Sequence, residues 1–119
     1  MSGYRRLVWQ EWFLAGKEEK IMGFTPETIE AVWRKATKVE NNDPAIFRKD
    51  TCSAWICRTH YGSRDSAYGW EIDHVNPKGG DDLSNLAPLH WQNNAAKGDG
   101  ALRCVVTSSG VENVTSVGR

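Results

Sequence analysis

Residues 69–99 read Gly69-Trp70-Glu71-Ile72-Asp73-His74-Val75-Asn76, then Pro77-Lys78-Gly79-Gly80-Asp81-Asp82, then LSNLAPLHWQNNAAKGD through Asp99. With Tyr68 just before it, Trp70 and Ile72 alternate with Gly69, Glu71 and Asp73, the period of a strand with one apolar and one acidic face. The alternation puts Ile72 in the core and aims Asp73 outward. Residues 77–82 read as a loop from their Pro, Gly and Asp content. Residues 90–97 read as a short polar helix closed by Gly98. The pair Asp73-His74 at a strand end, Asn85 eleven residues on and Asn94 nine further can therefore surround one point. An acid, an amide oxygen and a second imidazole would suit a hard divalent cation there, while His74, turned the other way, takes a proton from water.

Working outward, residues 51–58 are also short, β-branched and aromatic. With 68–75 across the turn-prone YGSRDS segment they predict a hairpin. Farther upstream, Thr25-Pro26-Glu27-Thr28 starts a helix, with Thr as N-cap and Pro at the first helical position. Ile29, Val32, Trp33 and Ala36 then fall at helical spacing, and Asn41-Asn42-Asp43-Pro44 stops it, predicting a helix over 26–39. Residues 4–16 read as a shorter helix packing Leu7, Trp9, Trp12 or Phe13. Residues 107–119 are Ser, Thr, Gly and Val, a tail without recognisable chemistry.

The 119 residues suit one core, because independent cores rarely form in much fewer than about 50 residues. Hydrophobic residues at 39% and charged residues at 25% are ordinary for a globular chain and exclude disorder and collagen. No apolar run approaches the roughly 20 residues of a membrane span. Fifteen Lys plus Arg balance fifteen Asp plus Glu, with seven of each in residues 1–47 and seven of each in 48–104. A DNA partner would therefore need a small local positive patch, since net charge supplies no long-range attraction. The N-terminus has no uninterrupted apolar region or small-residue cleavage site, and the expected compartment is the cytoplasm. Three cysteines, Cys52, Cys57 and Cys104, do not make a disulfide framework and are expected to remain buried thiols. One loose pair is also too few for a zinc ribbon.

The segment resembles the HNH endonuclease family, whose motif runs as an Asp-His strand end, a Gly-Gly loop, an Asn-Leu turn and a helix ending Asn-x-x-Lys-Gly-Asp. Those parts stand here as Asp73-His74, Gly79-Gly80, Asn85-Leu86 and Asn94-Ala95-Ala96-Lys97-Gly98-Asp99. The strings Phe47-Arg48-Lys49-Asp50-Thr51-Cys52, Gly69-Trp70-Glu71 and Pro88-Leu89-His90-Trp91 are similar to a compact stand-alone bacterial or phage subgroup. The resemblance implies an α+β fold, a small single domain built on a ββα-metal unit with an added N-terminal helix. It divides the chain into an aromatic-rich segment 1–24, a nuclease domain 25–106 with motif core 50–99, and the tail. It implies that His74 is the general base, Asp73 a ligand of one catalytic Mg or Mn ion, and Asn94 the second protein ligand. Asn85 would fix the loop and hold the His74 ring through a backbone or side-chain hydrogen bond. Zinc-bearing members carry a second cysteine pair where this chain has His90 and Asn93, so structural zinc is not expected.

His90 lies four residues before Asn94 on one helix face and is open to two readings, third metal ligand or helix N-terminal residue. Lys97, Arg64, Lys78 and Arg103 are candidates for phosphate contact. Trp70 and Trp91 read as core residues. DNA is the expected partner, with no membrane association, and Trp9, Trp12 and Phe13 offer a homodimer face. The expected activity is metal-dependent DNA cleavage, one strand at a time, with little sequence specificity because no helix-turn-helix, finger or basic arm is visible. The alternative is a non-catalytic DNA-binding or assembly module that keeps the fold.

Overall fold

Helix α1, Pro26–Trp33, begins where Thr25 Oγ1 accepts the Thr28 amide at 3.3 Å, with Pro26 at the first position. In a computed structural model, which describes residues 19–116, it buries Ile29, Val32 and Trp33. The predicted extension to residue 39 does not form. Thr37 instead exchanges two backbone hydrogen bonds with Lys49, at 2.8 and 2.9 Å, and that pairing requires extended backbone four residues after the helix ends. The helix read over residues 4–16 lies outside the described residues.

Three antiparallel pairs follow. Strand β1, Phe47–Lys49, pairs with β2, Trp55–Cys57. Strand β3, Trp70–His74, pairs with β4, Leu86–His90, in the register Trp70 to His90 and His74 to Leu86. Strand β5, Val106–Ser109, pairs with β6, Glu112–Thr115. Helix α2, Trp91–Lys97, leaves β4 directly, with His90 as its N-cap and Gly98 at φ 53° as its C-cap. The result is a small α+β domain with two helices among the described residues.

The hairpin expected between 51–58 and 68–75 is corrected. Both segments carry strands, but each finds another partner. The link between β1 and β2 turns on Asp50, whose Oδ1 accepts the amides of Cys52 and Ala54 at 2.9 and 2.8 Å. This side-chain turn folds β2 back on β1 and leaves β3 to β4. Residues 107–116, read as a tail, form most of the β5–β6 hairpin around Gly110 at φ 62°. Val106 at its start is fully buried, and Asn113 exchanges hydrogen bonds with the backbone of Trp55.

Trp70 is the centre of the core, as its place in the strand predicts. Trp33 and Tyr61 pack on it at ring separations of 5.4 and 5.0 Å, with Ile29, Val32, Ile56, Ile72 and Leu86 around them. Trp91 is only half-buried; its indole donates to Ser66 O at 2.9 Å. The cysteines are also corrected. Cys52 and Cys104 form a disulfide across 52 residues, leaving Cys57 as a buried thiol. Such a bond persists in oxidising surroundings. No helix among the described residues is long and apolar enough to cross a membrane.

Candidate functional site

Alternation along β3 sends Glu71 and Asp73 to the face opposite Trp70 and Ile72. That face is covered by α2, so Asp73 is buried rather than aimed at solvent. Residues three apart on a helix and two apart on a strand can meet as successive rungs. Two rungs result. Asn94 Nδ2 donates to Glu71 Oε1 at 2.9 Å, and Lys97 Nζ lies 3.2 Å from Asp73 Oδ1 while also donating to His74 O at 3.1 Å.

The first rung is completed by Arg64, whose guanidinium grips Glu71 through two hydrogen bonds of 2.7 and 2.9 Å. Burial pushes the Glu71 carboxyl upward, but the hydrogen bonds from Arg64 and Asn94 and the Arg64 charge outweigh it, holding Glu71 below the ordinary carboxylate range. On the second rung burial wins. The Asp73 carboxyl is raised by desolvation, against the opposing hydrogen bond and charge of Lys97.

At the solvent end of β3, His74 Nε2 lies 2.7 Å from Asp81 Oδ1. The loop that returns Asp81 to His74 is framed by Asn85. Its Oδ1 accepts the Asn76 amide at 2.8 Å, and its Nδ2 donates to the carbonyls of Asn76 and Gly80 at 3.1 and 2.9 Å. A side chain at Gly79 would start 2.7 Å from that same Nδ2, so only glycine passes there without breaking the frame. Asn85 thus fixes the loop, as expected, but Asp81 rather than Asn85 engages the His74 ring.

Asp73 and Asn94 both lie in the contact of β3 with α2, on adjacent rungs, whereas alternation turns the His74 ring to the other face of the strand, where it lies 6.0 Å from the Phe24 ring. His90 is not brought to them with a free nitrogen. Its ring is fully buried, Nδ1 accepts the Gln92 amide at 3.1 Å and Nε2 donates to Ala67 O at 2.9 Å. It acts as a helix cap, and of its two readings the metal ligand is the one the geometry withholds. Burial depresses its pKa, with smaller opposing effects from Ala67, Asp50 and Glu71. Of the four cations read as phosphate contacts, Arg64 and Lys97 are engaged by Glu71 and Asp73, while Lys78 and Arg103 are exposed. Lys78 borders an open cleft of about 340 Å³ with Asn76, Pro77 and Asp99.

Among the described residues no three His, Cys, Asp or Glu side chains converge as a metal-binding group. A cation here would instead rest on one carboxylate and one amide, with water and substrate completing its shell. Two oxygens suit that role. Among the described residues, Asp73 Oδ2 and Asn94 Oδ1 accept no hydrogen bond, since Lys97 takes the other Asp73 oxygen and Glu71 holds the Asn94 amide by its nitrogen. This hard, incomplete oxygen set fits Mg or Mn better than tetrahedral zinc.

Glu71 and Asp81 were not singled out in the sequence. The i,i+2 spacing of Glu71 and Asp73 opposite the i,i+3 spacing of Asn94 and Lys97 was the signal for the first, and the Gly79-Gly80 turn that brings acids back toward His74 was the signal for the second. Comparisons with protein-family models, curated proteins and solved structures found no match to this chain.

Proposed function

We propose that the protein is a metal-dependent endonuclease of the HNH kind, hydrolysing DNA phosphodiester bonds one strand at a time with little sequence preference. In this reading β3, β4 and α2 are its ββα-metal unit. The observation that carries it is the two-rung contact of β3 with α2, which leaves Asp73 Oδ2 and Asn94 Oδ1 free of hydrogen-bond donors, with His74 following Asp73 at the exposed end of the strand.

Asp73 and Asn94 would hold one Mg or Mn ion, which when bound supplies positive charge at the scissile phosphate and leaving oxygen. His74 takes the proton of the attacking water as general base. Glu71, fixed by Arg64, keeps the amide oxygen of Asn94 turned away from itself. Lys97 anchors both the Asp73 carboxylate and the carbonyl of His74, setting the strand end against the helix. Lys78, on the rim of the adjoining cleft, would meet the DNA backbone.

One base and one metal position act on one phosphate, and the antiparallel strand presents its phosphate in the opposite direction. Incubation of supercoiled plasmid with Mg or Mn should therefore yield open circles before linear DNA. His74→Ala should slow cutting about 100-fold or more with the fold intact. Undiminished cutting by that variant, or by the unaltered protein in EDTA, would remove this reading. Binding of DNA without cutting in any metal would favour the non-catalytic module.

A further inference from the structure

We propose that Asp81 is a positioning residue for His74, fixing the ring so that Nε2 carries the proton and Nδ1 is the basic nitrogen. The inference deepens the nuclease reading and rests on it for the reaction, although the ring geometry can be tested without any cleavage.

The contact is 2.7 Å from His74 Nε2 to Asp81 Oδ1. An ionised carboxylate has only acceptor positions, so the imidazole must present an N–H at Nε2, and the lone pair of the neutral ring then lies on Nδ1. Both side chains are accessible, His74 at 36% and Asp81 at 73%, and an ordinary pair of that kind contributes little because two mobile groups must be ordered. This pair differs in how the acid is presented. Asn85 Nδ2 holds the carbonyl of Gly80, the residue immediately before Asp81, and also the carbonyl of Asn76 at the start of the loop. Gly79 lets the backbone pass against that amide where any side chain would collide. On the other side of the pair, the His74 carbonyl is tied to Lys97. The loop frame thus orders Asp81 in advance, and the role read for Asn85 in the sequence, holding the His74 ring, passes through Asp81.

A general base works when its lone pair meets the water in line, and a ring free to swap tautomers spends part of its time with the wrong nitrogen deprotonated. A carboxylate on the far nitrogen prevents this. The same logic governs acid–histidine pairs on unrelated folds, where the acid orients and does not itself react.

The test uses the full chain, labelled with 15N, and long-range 1H–15N correlation of the His74 ring, recorded on the alkaline plateau where its spectrum no longer changes with pH. In the unaltered protein Nδ1 should resonate at the unprotonated end of the imidazole range and Nε2 at the protonated end. In Asp81→Ala the two should move toward each other as tautomers mix, with the backbone amide spectrum unchanged outside residues 74–85. Asn85→Ala should give the same ring change with Asp81 still present. For plasmid nicking, Asp81→Ala should lower kcat about 10-fold or more at unchanged KM, with Asp81→Glu recovering part of the loss. Mixed tautomers in the unaltered protein, or an unchanged His74 spectrum in Asp81→Ala, would overturn the assignment, as would a shifted spectrum with unchanged kcat. Absence of nicking by the unaltered protein in any metal would sink the nuclease reading instead, and the ring spectra would still decide whether Asp81 fixes the tautomer.

Discussion

Asn93 Nδ2 donates to Asp50 Oδ2 at 3.2 Å, joining two buried side chains 43 residues apart in sequence. Asp50 accepts three further hydrogen bonds, from the amides of Cys52, Ala54 and His90. Asn93 Oδ1 accepts the amides of Val105 and Val106, and its Nδ2 also donates to Val106 O. Two side chains therefore pin the β1–β2 turn, the start of α2 and the start of β5 to one another.

Removing either partner leaves buried donors or a buried charge without their complement. Asp50→Ala or Asn93→Ala should each cost about 3–5 kcal/mol. Because both substitutions break one network, the double variant should lose clearly less than the sum of the two. Urea unfolding of the four proteins measures the coupling, and strict additivity would show that the contact carries no energy.

The disulfide reinforces the same junction, since Cys52 lies in the β1–β2 turn and Cys104 precedes β5. Closing a long loop restricts the unfolded chain, and reduction should lower stability by about 2–4 kcal/mol. Cys104→Ser should match the reduced protein and should no longer respond to dithiothreitol. A thermal midpoint indifferent to reductant would mean that the two sulfurs are not joined in solution.

His90 links stability to pH. Its neutral ring donates through Nε2 and accepts through Nδ1, so protonation would set a second donor against the Gln92 amide in a buried site. Desolvation places its folded pKa below the ordinary 6.5. The unfolded chain then binds the proton more readily, and the stabilisation present above pH 6.5 is lost as pH falls toward the folded value. His90→Asn keeps an N-cap acceptor but cannot titrate. It should be less stable at pH 8 and flatter between pH 6.5 and 5, the range above ordinary carboxylate titration. An equally steep decline in that variant would place the pH dependence elsewhere.

The parts of the fold that were legible are those whose cause is local. Thr25-Pro26 announces α1, Gly98 closes α2, and alternation marks β3 and puts Trp70 inside. What failed depends on partners far along the chain. Thr37 pairs with Lys49 and shortens α1, while the Asp50 side-chain turn sends β2 to β1 and away from β3. Nothing in a period-2 pattern names the neighbouring strand. The same limit applied at the site. Spacing suggests Asp73 and Asn94 on facing elements, but the inward turn of Lys97 onto Asp73 and the grip of Arg64 on Glu71 appear only when α2 is laid across β3. Both cations therefore read as solvent-facing phosphate contacts from sequence.

That packing bears on metal affinity through a residue that is not itself a ligand in the proposed site. Glu71 fixes the Asn94 amide by its nitrogen, leaving Oδ1 as the available donor. In Glu71→Gln an NH2 replaces either Oε2, which accepts from Arg64 Nε, or Oε1, which accepts from both Arg64 and Asn94 Nδ2, and in the second placement the rung loses the bond that fixes Asn94. Asn94 can then turn its nitrogen toward the cation position. Residues that orient metal ligands change affinity by about 10–100-fold when replaced, and Mn binding measured by calorimetry should weaken within that range. Asp73→Ala should abolish it, while Arg103→Ala, exposed and away from both rungs, should leave it unchanged. Equal Mn affinity in Glu71→Gln and the unaltered protein would show that Asn94 is not a ligand, and unchanged binding in Asp73→Ala would move the metal to another part of the surface.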